Sequence, residues 1–530
     1  DIRKFFNIFI TLSIPNPEFN SQSKDKLESP VQLPVPKNID NLVSKIMRWE
    51  VINTIKSMKD TSSLKKLENR KKGMVRIEGL DNANYAGGKH YRDTTLILVE
   101  GLSAKTFAVQ GIEVGAFGKK GRDYFGIYPL RGKLLNVRNA SSQGIVKNRV
   151  ICDIIQALGL RPGMDYTSDE NFSTLRYGKV MTLCDADNDG IHIESLIQNF
   201  FHSMFPSLLR RNYLVSMKTP IVRISDKKND KIFYSLRQFN EFLESSAKNP
   251  KRKYYKGLGS SSKSDIKETF GKKILQFEMD NEVDTTMSKV FGKDFTDTRK
   301  VWLSQYEHKN DIMWGTKNEK EEQTITLTKY LNTETIKFSL DDCMRSIPNG
   351  IDGLKESQRK ILYAVFLKNL RPAGETIKVA QLAGYVSEKT EYLHGEQNLW
   401  NTIIGMAQNF TGSNNIPLLY RDGAFGTRLS MGKDAANARY IFTKLETWTR
   451  MIFPEVDDSL LEHKEDDGKI IEPKRYIPII PMILVNGISA GIGTGWSSYV
   501  PSYDPIEIID YISCMILGKP LPDIHPSYNN

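Results

Sequence analysis

The sequence predicts two successive domains, an α/β domain built on a parallel sheet and a domain of helix-turn-helix type. The first prediction rests on apolar strands that run into helices at "TTLILVEGLSAKTFAV", residues 94–109, and "KVMTLCDADNDGIHIESLI", residues 179–197. The second rests on residues 338–370, where two helical patterns flank a turn at Pro348 to Gly350. The second of these helices carries an apolar stripe made of Ile361, Leu362, Val365 and Phe366.

Three aspartates alternate after the second apolar strand, at Asp185, Asp187 and Asp189. In an extended chain alternate side chains project to the same face, and clustered carboxylates are best tolerated around a hard cation such as Mg²⁺ or Ca²⁺. A calcium-binding EF-hand loop is the alternative. It needs Glu at its twelfth position, where this chain has Leu196, and the preceding "VMTLC" indicates a strand rather than a helix.

Glu100 follows directly after the upstream apolar strand, just as the aspartates follow the downstream one. Open α/β sheets bind ligands at the carboxyl ends of their strands, so two neighbouring strands would bring Glu100 and the aspartates into one four-carboxylate Mg²⁺ site. For Glu100 and Gly101 considered alone, a plain strand end is the favoured interpretation.

The composition indicates an anionic partner. A chain of 530 residues is long enough for about three or four domains, and its net charge of +11 favours nucleic acid over an unspecialised basic surface. Because the chain begins with Asp1 rather than Met, we expect a piece of a longer polypeptide.

Cysteine and histidine spacing excludes several classes of site. The four cysteines form no C-x-x-C pair, which argues against a disulfide framework or zinc ribbon and favours a reducing compartment, and the seven histidines show no metal-ligand spacing. The most apolar stretch contains Pro478 and Pro481, which a membrane-spanning helix seldom accepts, so we expect no membrane segment.

Two basic clusters are candidates for contact with DNA. Gln358, Arg359 and Lys360 begin the second helix of the helix-turn-helix, where such folds usually meet DNA, although a solvated helix face is the commoner interpretation from the residues alone. In "GAFGTRLSMGKDAANARYIFTKL", residues 423–445, cations surround Tyr440 and would favour its phenolate form. From the residues alone, a packing role for this tyrosine remains the commoner interpretation. The cations are Arg428, Lys433 and Arg439.

Nine separated blocks occur in the order found in type IIA DNA topoisomerases, which the chain resembles from one end to the other. Because acidic and tyrosine blocks share one chain, the resemblance is to the eukaryotic and large-DNA-virus branch. The blocks are "LVEGLSAKTFAV", "YFGIYPLRGKLLNVR", "LCDADNDGIHI", "YYKGLG", "DGLKESQRKILY", "YLHGEQNL", "GAFGTR", "GKDAANARYIFTKL" and "PMILVNGISAGIGTGW".

The resemblance implies a division into domains. It predicts a TOPRIM domain, a Rossmann-like parallel sheet with an insert, at residues 73–308, and a winged-helix domain at residues 336–482. It further implies the end of an ATPase transducer at residues 1–45, linkers at residues 46–72 and 309–335, and the beginning of a tower domain at residues 483–530.

The resemblance also implies roles for individual residues. Tyr440 matches the nucleophile, Arg439 the neighbour that stabilises the transition state, and His394 a contact to the reacting phosphate. Glu100 matches a metal ligand that also serves as general acid or base. The complete set of matched ligands for two Mg²⁺ ions is Glu100, Asp185, Asp187 and Asp189.

Further matches concern DNA and ATP. Ile492 matches a residue that wedges between base pairs and bends the duplex, while Gln22 and Lys24 match residues that reach ATP bound outside this chain. The remaining predicted DNA contacts are Arg131, Lys133, Arg359, Lys360 and Lys433. The chain departs from the family pattern at Ser23, Leu102 and Leu393. The change at Leu102 puts in doubt a supporting carboxylate near the metal site.

The implied activity is Mg²⁺-dependent cleavage of double-stranded DNA through a 5′-phosphotyrosyl bond, followed by ATP-driven passage of a second duplex and religation. A homodimer is implied, because two strands are cut. Two alternatives remain, a TOPRIM-type nuclease or primase without a covalent intermediate and a non-catalytic DNA-binding scaffold. We expect nuclear localisation for a cellular enzyme, and the host cytoplasm for one from a cytoplasmic virus.

Overall fold

The computed structural model describes residues 41, 44, 45, 76–225, 230–245, 251–307, 324–466 and 468–528. The predictions made for Gln22, Lys24 and the linker at residues 46–72 therefore lie outside the described residues, as does nearly all of the predicted transducer segment.

The described strands and helices are numbered here in chain order. The strands are β1 (Thr95–Val99), β2 (Phe125–Pro129), β3 (Lys179–Leu183), β4 (Leu214–Met217), β5 (Val222–Ile224), β6 (Lys231–Phe233), β7 (Arg252–Tyr254), β8 (Ile274–Glu278), β9 (Thr324–Thr326), β10 (Ile377–Lys378), β11 (Leu419–Asp422), β12 (Phe442–Leu445), β13 (His463–Asp466), β14 (Lys469–Pro473), β15 (Ile488–Gly493) and β16 (Trp496–Val500). The helices are α1 (Leu102–Gly111), α2 (Ser142–Lys147), α3 (Arg149–Leu158), α4 (Asp169–Phe172), α5 (Asn188–Met204), α6 (Pro206–Arg210), α7 (Leu236–Ser245), α8 (Lys263–Thr269), α9 (Val283–Phe291), α10 (Thr296–Ser304), α11 (Leu327–Tyr330), α12 (Ile336–Ser346), α13 (Glu356–Leu367), α14 (Val379–Thr390), α15 (Glu396–Ala407), α16 (Thr449–Ile452), α17 (Met482–Val485) and α18 (Pro505–Ile516).

A six-stranded sheet of order β2-β1-β3-β4-β8-β9 forms the centre of the first domain. Strands β2, β1, β3 and β4 pair in parallel, β8 pairs antiparallel to β4, and β9 pairs parallel to β8. The predicted parallel-sheet domain is confirmed. The predicted linker at residues 309–335 needs correction, because its residues 324–326 form the β9 edge of this sheet.

Strand β1 is buried on both faces, as expected of a central parallel strand. Leu96 and Leu98 pack into the core that contains helix α5, while Ile97 and Val99 pack into the core that contains helix α1. Because alternate side chains face opposite sides of a strand, the run "TLILV" holds a helical layer on each face of the sheet.

Strands β5, β6 and β7 make a separate three-stranded antiparallel sheet of order β6-β5-β7. Its small core contains Val222, Ile224, Phe233 and Phe239, the last of these from α7. This unit is the insert predicted within the first domain.

The second domain combines helices α12 to α15 with a three-stranded antiparallel sheet of order β10-β12-β11. Ile361, Leu362 and Val365 are fully buried, and Phe366 packs against the same core, as the helical pattern predicts. The helix-turn-helix with an adjoining small sheet confirms the predicted winged-helix arrangement.

Two short hairpins complete the described chain, β13 with β14 and β15 with β16. Helix α18 follows them and begins at Pro505, with Asp504 capping its first turn. Among the described helices, none combines the length and apolar character that crossing a membrane requires.

Arg359 and Lys360 do not serve as the predicted DNA contacts. Arg359 is only 4% exposed and donates to both carboxylate oxygens of Asp352, over 2.7 and 3.0 Å. Lys360 is 8% exposed and donates to Glu472 over 2.9 Å and to the carbonyl of Thr390 over 2.8 Å. This prediction was wrong, because both cations are neutralised inside the domain. Arg359 is buried, and Lys360 lines a groove between the domains but has its ammonium held by Glu472.

We expect Asp352→Ala to lower the free energy of unfolding by about 3–5 kcal/mol, since it leaves the buried charge of Arg359 without a partner. Urea denaturation of the winged-helix domain, followed by circular dichroism, measures the change. Glu388→Ala, which removes an exposed pair with Lys389, is the control and should leave the midpoint unchanged. A loss below about 1 kcal/mol for Asp352→Ala would contradict the assigned role.

Candidate active site

The carboxyl ends of β1 and β3 bring the predicted acidic residues together. These strands pair in register, with Val99 opposite Leu183, so that Glu100 and Asp185 follow at the same edge of the sheet. The backbone N–H of Asp185 donates to Oε2 of Glu100 over 3.3 Å. The predicted convergence of Glu100 and Asp185 is confirmed.

The loop "YYKGLG" closes over Asp185 from the other side. The backbone N–H of Leu258 donates to Oδ1 of Asp185 over 2.8 Å. The preceding Gly257 has φ +125°, and a Cβ there would lie 2.9 Å from Oδ2 of Asp185. Glycine is therefore needed at this position for both its backbone angle and its small size.

Asp187 begins helix α5. Its Oδ1 accepts from the N–H of Gly190 over 2.7 Å, which caps the helix. A Cβ at Gly190 would lie 2.2 Å from the carbonyl oxygen of Asp185, so the tight strand-to-helix turn requires glycine as well. The turn thus places Asp187 next to Asp185.

Burial and repulsion by neighbouring carboxylates make Glu100 and Asp185 reluctant to ionise. Burial, with the charges of Asp185 and Asp187, raises the pKa of Glu100 to about 7. Burial, with the charge of Asp187, raises the pKa of Asp185. Among the described residues, no Lys, Arg or His forms an ion pair with Glu100, Asp185 or Asp187. The three carboxyl groups therefore form a cluster whose negative charge is not balanced by the protein.

Asp189 is balanced by cations. Its Oδ1 accepts from Lys133 over 2.7 Å, Arg345 lies 3.5 Å away, and Nδ1 of His394 lies 3.7 Å from Oδ2. Burial acts to raise the pKa of Asp189, but the hydrogen bond and charge of Lys133, together with Arg345, lower it overall. Asp189 therefore differs from the three other acids in having its charge neutralised by neighbouring cations.

Helix α12 of the second domain contributes directly to this site. Arg345 lies 3.0 Å from Nε2 of His394, in addition to its contact with Asp189. Phe338, two turns earlier on α12, stacks on His192 at 3.7 Å between ring centroids and lies under the ammonium of Lys133. Arg345 was not singled out from the sequence, because no local motif marks it and only the tertiary structure shows its partners.

Arg131 lies on the loop that follows β2, at the same edge of the sheet. Its guanidinium pairs with Glu78 over 2.9 Å and remains about half exposed. Lys133, two residues later, reaches the acidic cluster through Asp189. Both predicted DNA contacts on this loop therefore lie at the site. Lys133 is paired within it, and Arg131 lies beside it.

The four-carboxylate metal site is not assembled as predicted. Within the ranges that the structure describes, no group of three or more His, Cys, Asp or Glu side chains is arranged to hold one metal ion. Asp187 uses one oxygen as a helix cap, and Asp189 is held by Lys133 and Arg345. The unbalanced charge of Glu100, Asp185 and Asp187 nevertheless suits a divalent cation.

Tyr440 lies in the loop between β11 and β12 and its side chain is 73% exposed. The neighbouring Arg439 is exposed, and its backbone N–H and Nε both point to Oδ1 of Asn437, at 3.1 and 3.4 Å. Lys433 is also exposed. The chain therefore presents the predicted nucleophile and its cations to solvent.

One groove of about 1720 Å³ joins the two domains. Its walls include Glu100 and Asp185 from the first domain and His394 from the second, as well as Ile492, whose side chain is 69% exposed. Tyr440 does not line this groove in the described part of the chain. A single chain thus brings the acids and His394 together but leaves the tyrosine elsewhere.

Three family models match successive parts of the chain. Residues 95–218 match the Toprim domain, and residues 217–343 match the C-terminal associated domain of TOPRIM. Residues 345–530 match the family of DNA gyrase/topoisomerase IV A subunits. The three models together cover both domains described above.

Similar proteins match over nearly the whole chain. DNA topoisomerase 2 of Invertebrate iridescent virus 6 is 41% identical, covering 96% of this chain and 47% of that protein. Human DNA topoisomerase 2-alpha is 43% identical, covering 99% of this chain and 35% of that protein. The chain therefore spans about half or less of the length of these relatives.

A solved structure agrees with these matches. The DNA-binding, cleavage and re-ligation domain of Plasmodium falciparum topoisomerase II is 40% identical, with a TM-score of 0.72, and the match covers 87% of this chain and 61% of that one. The chain belongs to the type IIA DNA topoisomerase family.

Proposed function

We propose that the longer protein containing this chain cleaves both strands of a DNA duplex, passes a second duplex through the break and rejoins the ends. The observation that carries this proposal is the presence, in one chain, of an unbalanced acidic cluster facing a groove and of an exposed Tyr440 among cations. ATP would be bound outside the described residues and would drive passage of the second duplex.

Cleavage would follow from the chemistry of these side chains. Oη of Tyr440 gives its proton to water and attacks a backbone phosphorus, the bond from phosphorus to the 3′ oxygen breaks, and a 5′-phosphotyrosyl bond forms. Without a bound cation the pKa of Glu100 is about 7, so this carboxyl group takes up and releases a proton near neutral pH, and it could donate one to the leaving oxygen when it is not binding an ion. Arg439 and His394 would stabilise the charge on the phosphate.

The charges of Glu100, Asp185 and Asp187 lack a protein partner and would attract Mg²⁺, although the described conformation does not bring all three around one ion. When bound, Mg²⁺ would neutralise charge that develops on the phosphate oxygens. Asp189 could join as the fourth predicted ligand, and complete the predicted two-metal site, only by giving up Lys133 and Arg345.

A second copy of the chain is part of the proposal. Tyr440 is exposed and lies outside the groove that holds the acids, so the tyrosine of one copy would complete the site of the other. A homodimer with two such shared sites would cut both strands. Double-stranded DNA would occupy the groove, with Ile492 wedged between base pairs.

We expect the full-length parent protein to remain attached to the 5′ side of DNA breaks formed with Mg²⁺ and trapped by denaturant. Tyr440→Phe should abolish the attachment, because the attacking oxygen is lost. Tyr420→Phe, at another exposed tyrosine on neighbouring β11, is the matched control and should retain it. Breaks without attached protein in the wild type would favour a TOPRIM nuclease instead.

Addition of Mg²⁺ to metal-free protein should raise the melting temperature, because a cation relieves repulsion in the acidic cluster. Asp185→Asn should melt at a higher temperature than the wild type without metal and should lose most of the Mg²⁺ response. Glu113→Gln, an exposed acid beyond the far end of α1, should respond as the wild type does. Differential scanning calorimetry measures both shifts, and an undiminished response in Asp185→Asn would remove that residue from the metal site.

A mixed dimer of Glu100→Gln and Tyr440→Phe subunits tests the shared site. If the sites are shared between copies, one site combines both defects and the other combines neither, so the mixed dimer should nick one DNA strand. If each chain used its own tyrosine, both sites would be defective. Tandem affinity tags isolate the mixed dimer, and separation of nicked from intact plasmid provides the measurement.

A further inference from the structure

The hairpin that carries Ile492 is fastened to helix α12. In the turn between β15 and β16, Oγ1 of Thr494 donates to Oδ2 of Asp342 over 2.9 Å. The thiol of Cys343 lies 3.2 Å from the carbonyl oxygen of the same threonine. Both contacts join the hairpin turn to consecutive residues of α12.

The backbone of the hairpin approaches α12 closely. A Cβ at Gly493 would lie 3.1 Å from Cα of Cys343, and one at Gly491 would lie 2.9 Å from Cδ of Pro348. Ile492 stands between these two glycines and projects into solvent. The hairpin is therefore held close against the helix, while the side chain of Ile492 stays exposed.

The same helix reaches the acidic site. Arg345 lies three residues after Asp342, so the two side chains leave neighbouring positions on one face of α12. Arg345 contacts Asp189 and His394, and Asp342 accepts the hydrogen bond from Thr494. A displacement of α12 would therefore move the hairpin and Arg345 together.

We propose that Asp342 and Thr494 are positioning residues that hold Ile492 at a set place relative to the acidic cluster, so that DNA bending and cleavage depend on one helix. The inference rests on the proposed function, because it concerns how DNA is bent before it is cut. Neither residue touches the reacting atoms.

The physical reason is mechanical. A side chain that separates stacked base pairs is pushed back by them, and the hairpin must resist this force. The Thr494–Asp342 hydrogen bond opposes withdrawal of the turn, together with the contact of the Cys343 thiol. Its loss should reduce the population of bent DNA by about two- to tenfold, the usual effect of one such bond on an equilibrium.

The test uses the full-length parent protein and a duplex with a fluorescent dye at each end, in which energy transfer reports bending. Thr494→Val removes the hydroxyl at nearly constant volume, and Thr494→Ser restores it. Thr328→Val, which removes a comparable hydrogen bond to Asp280 of 2.6 Å, is the matched control. Covalent attachment to the DNA is measured in parallel on each variant.

A second duplex separates positioning from general damage. It carries mismatched bases at the step where Ile492 inserts, so that unstacking costs little. We expect Thr494→Val to bend and cleave the intact duplex about two- to tenfold less than the wild type, and to match the wild type on the mismatched duplex. Thr494→Ser and Thr328→Val should behave as the wild type on both.

Two results would overturn the inference. One is unchanged bending by Thr494→Val. The other is an equal loss of cleavage on both duplexes, which indicates damage unrelated to bending. Failure of the wild type to attach covalently to DNA would instead overturn the proposed function. Attachment of the wild type is therefore measured before any variant is compared.

Discussion

The in-register pairing of β1 with β3 sets Glu100 against Asp185, and the other features of the site follow from this contact. Two partly buried carboxyl groups at the ends of adjacent parallel strands repel each other, and Asp187 adds to the repulsion. The protein supplies backbone N–H groups here rather than cations, through Leu258 to Asp185 and Gly190 to Asp187. Such donors orient the carboxylates while leaving their charge for an external cation.

Helix α12 connects the acidic cluster to the second domain. Phe338 lies against His192 and Lys133, while Arg345 reaches Asp189 and His394. The helix therefore touches the first domain both through an aromatic stack and through charge. Because β9 also belongs to the sheet of the first domain, the chain passes from one domain to the other over a short, structured segment.

Features that depend on residues close in sequence were predicted correctly. The buried run of β1, the turn after β3 and the apolar stripe of α13 are each set by residues close in sequence, and their predictions were confirmed. The DNA contacts predicted for Arg359 and Lys360 were wrong because the sequence of a basic pair on a helix is the same whether the pair is solvated or buried. Their state depends on Asp352, seven residues earlier, and on Glu472, 112 residues away. Arg345, which also lies beside Asp189, was not predicted because it comes from another domain and no local motif marks it.

The exposure of the tyrosine loop follows from what one chain can assemble. Leu429, Met431 and Tyr440 are 96%, 79% and 73% exposed, and exposed apolar groups of this kind are typical of a surface that meets a partner. The loop is ordered by its own backbone, with a Cβ at Gly426 excluded by the backbone of Gly432 at 2.7 Å. The loop is also fixed to the rest of its chain, since Nε2 of Gln408 donates to the carbonyl oxygens of Phe425 and Gly432. Under the proposed function its exposed side chains are free to meet DNA and the acidic cluster of a second copy, where a nucleophile outside its own groove is needed.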